Sequence, residues 1–540
     1  MTIGENIVIL REKAGLSQEQ LAEKCSVSRQ SISKWETNQA FPQIDKVIQM
    51  SEIFGISIDE LLKVSQKTVA PAFSSPSGKY FGTDGFRGEA NVGLTSMHAY
   101  KIGRFLGWYF ASPLYDGNDR GKRPRIVIGK DTRRSSYMLE YALVAGITAS
   151  GADAYMLHVT TTPSVSYVTR QEEFDCGIMI TASHNPFSDN GIKVINRHGE
   201  KLDDYTVSLI ESYLDGDLKK LNVHTDDIPL AHKEKIGCIV DYVAGRNRYV
   251  GYLISLASHS YKNLKIGLDC ANGASWMIAR SVFAALGANV TMLGTEPNGL
   301  NINDGCGSTH IENLANAVRE KHLDIGFAFD GDADRCIAVD ENGKTVDGDA
   351  IIYLLGKRLK DRGMLNGDTV VATTMSNGGL ISSLSELGIS CVQTDVGDRF
   401  VYECMQKNDY ALGGEHSGHI IVKKYATTGD GILTAIMVTE EICDRKSTLA
   451  KLTEDMRYYP QMTENVRVAN KDAVINDPDV IALMRSIKEQ LLPTERIILR
   501  KSGTEPLIRI MAECETAEDC KKHVSAIVKC IKERGYELER

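Results

Sequence analysis

One pattern recurs three times along this chain and limits its fold more than any other feature. A β-rich run leads into a polar loop, then a helical stretch, a glycine and a second β-rich run. The copies are PRIVIGKDTRRSSYMLEYALVAGITASGADAYML (124–157), LKIGLDCANGASWMIARSVFAALGANVTML (264–293) and DTVVATTMSNGGLISSLSELGISCVQT (368–394). Each spells a βαβ unit, in which the helix carries the chain back over the sheet so that the two strands run parallel. Three units predict three α/β domains with largely parallel sheets, and functional loops at the C-terminal ends of their strands. At roughly 150 residues per domain, the 540 residues leave room for three to four domains.

The two ends of the chain follow other patterns. Residues 1–66 string together short helical segments, with Ser17 and Ser28 standing where N-caps belong. KTVAPAFSSPSGK, rich in Pro, Ser and Ala, reads as a linker over 67–78. From about residue 457 the order becomes strand (NVRV), helix after Asp477-Pro478, strand (RIILR), strand (LIRIMAE), helix. That last helix opens on a capping-box pattern, Thr516 to Asp519, and can end at Gly535. Its apolar face is Val524, Ile527, Val528 and Ile531, so a small α+β domain is expected. The expected boundaries are 1–66 for an all-α module and 67–78 for the linker. Three α/β domains follow at 79–236, 237–346 and 347–456, and the α+β domain at 457–540.

Composition narrows the setting. Hydrophobic residues at 42% and charged residues at 25% are globular values and exclude wholesale disorder. No apolar run reaches the roughly 20 residues that span a bilayer. Arg11, Glu12 and Lys13 interrupt the one apolar stretch near the N-terminus, which argues against a secretory signal. Twelve cysteines occur with no CxxC pair, as expected of reduced thiols. These features predict a cytoplasmic protein without membrane partners.

Five motifs carry chemistry. TASHNP (Thr181–Pro186) follows the apolar run CGIMI; a serine on a sharp turn there is expected to be exposed and nucleophilic, with His184 able to hydrogen-bond what Ser183 carries and Lys193 close behind. An ordinary Asn-Pro turn is the competing reading. DGDADR places Asp330, Asp332 and Asp334 at alternate positions, an oxygen-ligand set for Mg²⁺ or Ca²⁺. An EF-hand is excluded because Arg335 stands where the turn needs Gly and because strand patterns flank the loop. RKSGTEP offers Arg500 for bidentate grip on phosphate, the hydroxyls of Ser502 and Thr504, and close backbone approach at Gly503, with Arg509 in the next strand. GGEHSGH presents Glu415 and Ser417 to sugar hydroxyls, and GTDGFRG presents Arg87 without matching either standard nucleotide loop. Together they describe phosphoryl transfer to and from a sugar phosphate.

In this order the five motifs resemble the α-D-phosphohexomutase superfamily over residues 79–540. Within it, DNGIK after TASHNP, NGLNINDGCGSTH (Asn298–His310), the SGHII pattern and SGTEP are most similar to the bacterial glucosamine-phosphate branch. The departures are His416 where that branch usually has Gln, Ala333 for a frequent Gly, and Lys501 for a frequent Pro. The resemblance implies interconversion of glucosamine 6-phosphate and glucosamine 1-phosphate by a phosphorylated Ser183 through a 1,6-bisphosphate, which also serves as activator. It implies Mg²⁺ held by Ser183, Asp330, Asp332 and Asp334, and His184, Lys193 and Arg87 beside the transferring group. It also implies a substrate site of Arg335, Glu415, Ser417, Arg500, Ser502, Gly503, Thr504 and Arg509. Lys130, Asp131 and Arg133 are expected to support the same loop. A phosphomannomutase/phosphoglucomutase, or a regulator that senses sugar phosphates, are the alternatives.

Residues 1–66 resemble a Cro/repressor-type helix-turn-helix domain, with Leu21, Ala22, Cys25, Val27, Ile32 and Trp35 at its buried positions and Ser26 at the turn. The resemblance implies a recognition helix from Ser28 that offers Arg29, Gln30, Ser31 and Lys34 to the major groove, and Gln18 to a phosphate. Acidic residues slightly outnumber basic ones there, and a module for dimerisation or protein contact is the competing reading. A homodimer fits either reading.

Overall fold

The computed structural model describes residues 7–8, 10–11, 14, 16–36, 40, 42, 44–54, 78–112, 114–115, 122–491, 495–501 and 507–538. It divides into two compact units, 1–77 and 78–540.

In the first unit, helices Gln18–Lys24 and Arg29–Glu36 form a helix-turn-helix pair, followed by Ile44–Phe54. Ser17 Oγ accepts from the Gln20 amide at 3.2 Å while Gln20 Oε1 accepts from Ser17 N at 2.7 Å, so two orphan amides of the first turn are satisfied reciprocally. Ser28 Oγ accepts from Ser31 N at 3.1 Å. Ser26 turns the chain between the helices at φ 53°, the left-handed region that glycine adopts most cheaply. Leu21, Ala22, Cys25, Ile32, Trp35, Val47 and Met50 are buried together, with Val27 half-buried against them. The helical segment expected at SIDELLK (57–63) and the linker up to Ser77 lie outside the described residues.

The second unit contains four sheets. The first has seven strands in the order Phe81–Gly82, Gly85–Glu89, Asp189–Asn196, Cys176–Ile180, Arg125–Lys130, Asp153–Val159, Ile239–Asp241. The second runs Thr345–Val346, Cys336–Val339, Ile325–Phe329, Lys265–Asp269, Asn289–Leu293. The third runs Ser390–Thr394, Thr369–Thr373, Leu412–Gly414, Ile420–Val422. Each α/β sheet is therefore a parallel group closed by antiparallel strands. In all three, the chain leaves the last parallel strand, makes a short loop and returns antiparallel beside it. The three loops are residues 181–188, 330–335 and 415–419, which hold three of the motifs. The fourth sheet is antiparallel, Gln461–Arg467, Leu507–Glu513, Arg496–Lys501, and helix Ala517–Glu533 covers it. Thr516 caps that helix, and Gly535 ends it at φ 74°.

The first boundary falls later than the sequence predicts. Ile239–Asp241 pairs in parallel with Asp153–Val159, so the first sheet continues beyond residue 236. A three-residue edge strand has too little periodicity to read in advance.

Helices Ser96–Tyr109 and Arg134–Ala149 cross in contact on the first sheet. A Cβ at Gly146 would stand 2.1 Å from Tyr100 O, and one at Gly103 2.2 Å from Leu143 O. Gly146→Ala therefore forces the helices apart and is expected to cost about 1–3 kcal/mol, although alanine is the better helix former. Urea unfolding of the two proteins checks this; an unchanged midpoint would show that the crossing has slack.

Candidate active site

The loop after Cys176–Ile180 bends back so tightly that several of its carbonyls converge, and Arg133 meets them. Its guanidinium donates to Ser183 O at 2.9 Å, Asn185 O at 2.8 Å, Asp189 O at 2.9 Å and to Pro186 O. Asp131 accepts from Arg133 Nε at 2.8 Å, and both side chains are fully buried. Held in this way, Ser183 sits at φ 52°. A non-glycine residue in that region is strained by roughly 1 kcal/mol or more and persists only where its surroundings fix it. Lys130 does not join the loop; it turns onto buried Glu140.

The sequence predicts an exposed Ser183, but the side chain is buried, 1% accessible. The loop 330–335 lies directly over it. Any Cβ on Gly331 would be 2.5 Å from Ser183 O, so the two backbones touch. Ser183 Oγ donates to Asp330 Oδ2 at 2.5 Å and lies 3.3 Å from His184 Nδ1. Burial, with Arg335 and Arg87 nearby, pushes His184 down to about 4, so its imidazole is neutral at physiological pH.

Asp330, Asp332 and Asp334 are buried, with one oxygen of each within 4.8 Å of the others. Oδ1 of Asp332 and Oδ1 of Asp334 have no hydrogen-bond partner. Three hard oxygen donors with unused buried lone pairs fit a divalent cation. Lys193 Nζ bridges Asp332 Oδ2 at 2.9 Å, Asp334 Oδ2 at 3.0 Å and Asp84 Oδ2 at 3.3 Å. Burial opposes the charge on Lys193, but those carboxylates hold its ammonium well above the ordinary value. Burial likewise favours neutral Asp334, and Lys193 outweighs it, holding that carboxyl well below the usual range. Asp330 has no such ammonium; burial, followed by repulsion from Asp334 and Asp332, raises it.

Arg87, Arg335 and Glu415 lie around this cluster, whereas Arg500 and Arg509 make their contacts within the C-terminal sheet. Arg87 pairs with Asp84, and Arg335 Nε lies 3.9 Å from Asp334 Oδ1 without hydrogen-bonding it. Glu415 is buried and accepts from Gly397 N at 3.0 Å; Ser417 is half-buried and His416 exposed on the same loop. Arg500 is exposed and faces Arg509 across the antiparallel pair, with Arg509 Nε donating to Asn465. Ser502, Gly503 and Thr504 lie outside the described residues.

Several further polar and charged residues, to which the sequence reading assigns no role, complete the cluster. Lys201 bridges Asp84 Oδ1 at 2.9 Å and Asp398 Oδ1 at 2.7 Å. His419 is buried with Nδ1 3.8 Å from Asp334 Oδ1, while Gly429 N donates to its Nε2 at 2.9 Å. Thr162 Oγ1 donates to Asp332 Oδ2 at 2.5 Å. Of these, His419 lies within GGEHSGH and Asp84 within GTDGFRG; Lys201, Asp398 and Thr162 belong to none of the five motifs.

In the first unit, Gln18 Nε2 donates to Glu36 Oε2 at 2.6 Å and Arg11 Nε to Glu36 Oε1 at 2.6 Å. The Gln18 amide is thus tied to the recognition helix. Arg29, Gln30 and Lys34 are exposed on that helix, Arg29 paired with Glu19 at 2.7 Å, and Ser31 is half-buried with Oγ 3.0 Å from Ser28 Oγ.

Removing Lys193 leaves Asp84, Asp332 and Asp334 crowded without their shared cation. Lys193→Met is expected to destabilise the second unit by about 3–5 kcal/mol, the usual cost of a broken buried ion pair. Added Mg²⁺ should recover more stability in the variant than in the parent, because the cation takes over part of the lost charge. Thermal melts with and without Mg²⁺ test both; an Mg²⁺-insensitive melt would remove the carboxylates as a cation site.

The geometry has counterparts. The phosphoglucomutase/phosphomannomutase family models match this chain at 78–220 (α/β/α domain I), 247–343 (domain II), 347–459 (domain III) and 464–529 (C-terminal domain). A helix-turn-helix model matches 7–61. The phosphoglucosamine mutase of Lachnospira eligens is 56% identical over 459 residues, 85% of this chain and 99% of that protein. A phosphoglucomutase/phosphomannomutase family protein from Burkholderia thailandensis shares the fold, with TM-score 0.67 at 20% identity over 85% of this chain and 99% of its own. So does Aspergillus fumigatus N-acetylphosphoglucosamine mutase, solved with GlcNAc-6P and magnesium, with TM-score 0.59 at 16% identity over 86% and 97%. No helix among the described residues is long and apolar enough to cross a membrane. With four consecutive domain models and a relative matched over nearly its whole length, this chain belongs to the phosphoglucomutase/phosphomannomutase family, in its phosphoglucosamine mutase branch, and carries a helix-turn-helix domain ahead of it.

Proposed function

We propose that the second unit interconverts glucosamine 6-phosphate and glucosamine 1-phosphate, with Ser183 as the phosphoryl carrier, and so supplies amino-sugar nucleotide synthesis. One observation carries the reading: the strained, clamped Ser183 places Oγ 2.5 Å from Asp330, inside a cluster of three buried carboxylates. The glucosamine substrate follows the name of the Lachnospira relative.

In the first half-reaction the P–Oγ bond of phosphoserine breaks and a P–O bond to the free sugar hydroxyl forms. The net proton transfer is from that hydroxyl to Ser183 Oγ, and a 1,6-bisphosphate results. After the sugar turns over, the other phosphoryl group returns to Ser183 by the reverse exchange. Asp330, Asp332, Asp334 and a phosphoserine oxygen would hold Mg²⁺, which supplies positive charge against the charge developing on the transferring group. Lys193 and Arg87 add fixed cations there, and neutral His184 hydrogen-bonds the seryl oxygen. Arg335, Glu415 and Ser417 bind the sugar. Arg500, Ser502, Gly503, Thr504 and Arg509 grip the phosphate that is not being transferred. Free 1,6-bisphosphate rephosphorylates enzyme that has lost its phosphoryl group, and so acts as activator.

The proposed boundaries are 79–241, 242–346, 347–456 and 457–540, the first set past Asp241 because that edge strand pairs with the first sheet. The first unit binds DNA through Arg29, Gln30, Ser31 and Lys34, with Gln18, whose amide also donates to Glu36 on the same helix, contacting a phosphate, and it binds more tightly as a dimer than singly. The protein works in the cytoplasm.

Ser183→Ala should lower turnover by at least about 10³-fold, the scale for removing a covalent carrier. The assay compares glucosamine, glucose and mannose 6-phosphates with phosphorylated enzyme. Wild-type turnover in the variant would overturn the carrier, and a preference for glucose or mannose phosphates would move the substrate to the neighbouring branch.

A chain starting at Gly78 should keep most of its turnover, because every residue assigned to the reaction follows that point. Full-length protein should bind duplex DNA in a salt-dependent way that the shortened chain does not. An inactive or insoluble shortened chain would make the helical unit part of the catalytic fold.

A further inference from the structure

We infer that Asn303 is a positioning residue for the phosphoryl carrier, fixing the Ser183 loop of the first α/β domain against the metal loop of the second. The inference rests on Ser183 being that carrier. Asn303 lies in the GLNINDGCGSTH stretch, to which the reaction assigns no role. It is 7% exposed, at φ 60°, with its own N–H on Ala271 O at 2.9 Å.

Its side-chain amide reaches across the domain boundary. Nδ2 donates to Ser183 O at 2.9 Å and to Asn185 O at 3.1 Å. These are two of the carbonyls that Arg133 also holds, at 2.9 and 2.8 Å. The two clamps differ in what they can do. Arg133 belongs to the same domain as the loop, so it fixes the shape of the loop but not its distance from Asp330. Asn303 belongs to the domain that carries Asp330, Asp332 and Asp334, so its two bonds set where Ser183 stands relative to those carboxylates. Gly331 leaves the space for this contact: a Cβ there would lie 2.5 Å from Ser183 O and 3.2 Å from Asn303 Nδ2. A primary amide suits the position, because one nitrogen offers two hydrogens to two carbonyls. A carboxylate of the same shape would point oxygens at oxygens.

Positioning of this kind acts on the chemical step. Misplacing reacting atoms by about 1 Å costs on the order of 10²-fold in rate, while binding through other residues is kept. The test compares Asn303→Asp and Asn303→Ala in the full chain, with Ser183→Ala as control. It measures kcat and KM for glucosamine 6-phosphate at saturating Mg²⁺, the rate of Ser183 phosphorylation by glucose 1,6-bisphosphate from intact mass, and thermal melts.

In both variants, kcat and the phosphorylation rate should fall together by about 10- to 100-fold, with KM within about threefold of the parent. The Asp variant should be the more impaired, since it adds repulsion where Ala only removes donors. A residue that merely filled space would show the reverse order. Parental kcat and phosphorylation rate, a loss confined to KM, Ala more impaired than Asp, or two variants that fail to fold would each overturn the inference. Retained turnover in Ser183→Ala would overturn the carrier reading itself, and the inference with it.

Discussion

The catalytic half of this protein depends on how one buried guanidinium meets a bundle of carbonyls. A strand that must end in a tight loop and return antiparallel turns its backbone oxygens toward each other. Left unmet, each buried oxygen would cost about 1–3 kcal/mol. Arg133 supplies donors to four of them from a single planar fork, and Asp131 neutralises and orients it. Lysine could not replace it, because one ammonium cannot reach that spread of acceptors in a plane. The left-handed Ser183, its short contact to Asp330 and the close approach of Gly331 all presuppose that the loop keeps this shape.

Charge is the second constraint. Asp84, Asp330, Asp332, Asp334 and Asp398 crowd one region, the middle three buried and the other two part-buried, and buried charges persist only when paired. Lys193 and Lys201 divide the work: the first bridges Asp84, Asp332 and Asp334, the second Asp84 and Asp398. Asp330 is the carboxylate that neither ammonium touches, so burial raises it and it takes the Ser183 hydroxyl as its partner. Lys193 therefore occupies Oδ2 of Asp332 and Asp334, and Oδ1 of each is left without a hydrogen bond, that of Asp334 with His419 Nδ1 3.8 Å and Arg335 Nε 3.9 Å away. The pairing itself shapes a cation site, because Lys193 takes Oδ2 of Asp332 and Asp334 while the Ser183 hydroxyl takes Oδ2 of Asp330.

Local signals made much of this legible in the sequence. The βαβ repeats, the caps at Ser17 and Thr516, and the alternate aspartates all act within a few residues, where periodicity and spacing can be read. Pairing between distant segments was not legible. Nothing near Lys201 announces that it bridges Asp84 and Asp398, and nothing near Asn303 announces the carbonyls of residues 183 and 185. The burial of Ser183 is hidden for the same reason: its own segment predicts exposure, and the distant loop 330–335 covers it. Ile239–Asp241 joined the first sheet because an edge was free to pair, which a three-residue strand does not advertise.

The three α/β domains place their chemistry by the same device. Each parallel strand that ends in a functional loop is followed at once by an antiparallel strand hydrogen-bonded to it: Cys176–Ile180 with Asp189–Asn196, Ile325–Phe329 with Cys336–Val339, Leu412–Gly414 with Ile420–Val422. In a simple βαβ unit the loop after a strand leads into a helix and has one anchored end. Here both ends of each loop are pinned into the same sheet, so a loop of only five to eight residues has little freedom left to lose when substrate binds. Backbone bonds from neighbouring segments hold two of the loops further: Thr162 N to Asp332 O at 3.0 Å and Gly431 N to Ala333 O at 3.0 Å on the second, and Cys336 N to Gly418 O at 2.9 Å on the third. Such bonds depend on chain path and not on side-chain identity. Side-chain substitutions within the loops can therefore alter which sugar is held while nucleophile and carboxylates keep their register, and this separates specificity from the phosphoryl chemistry.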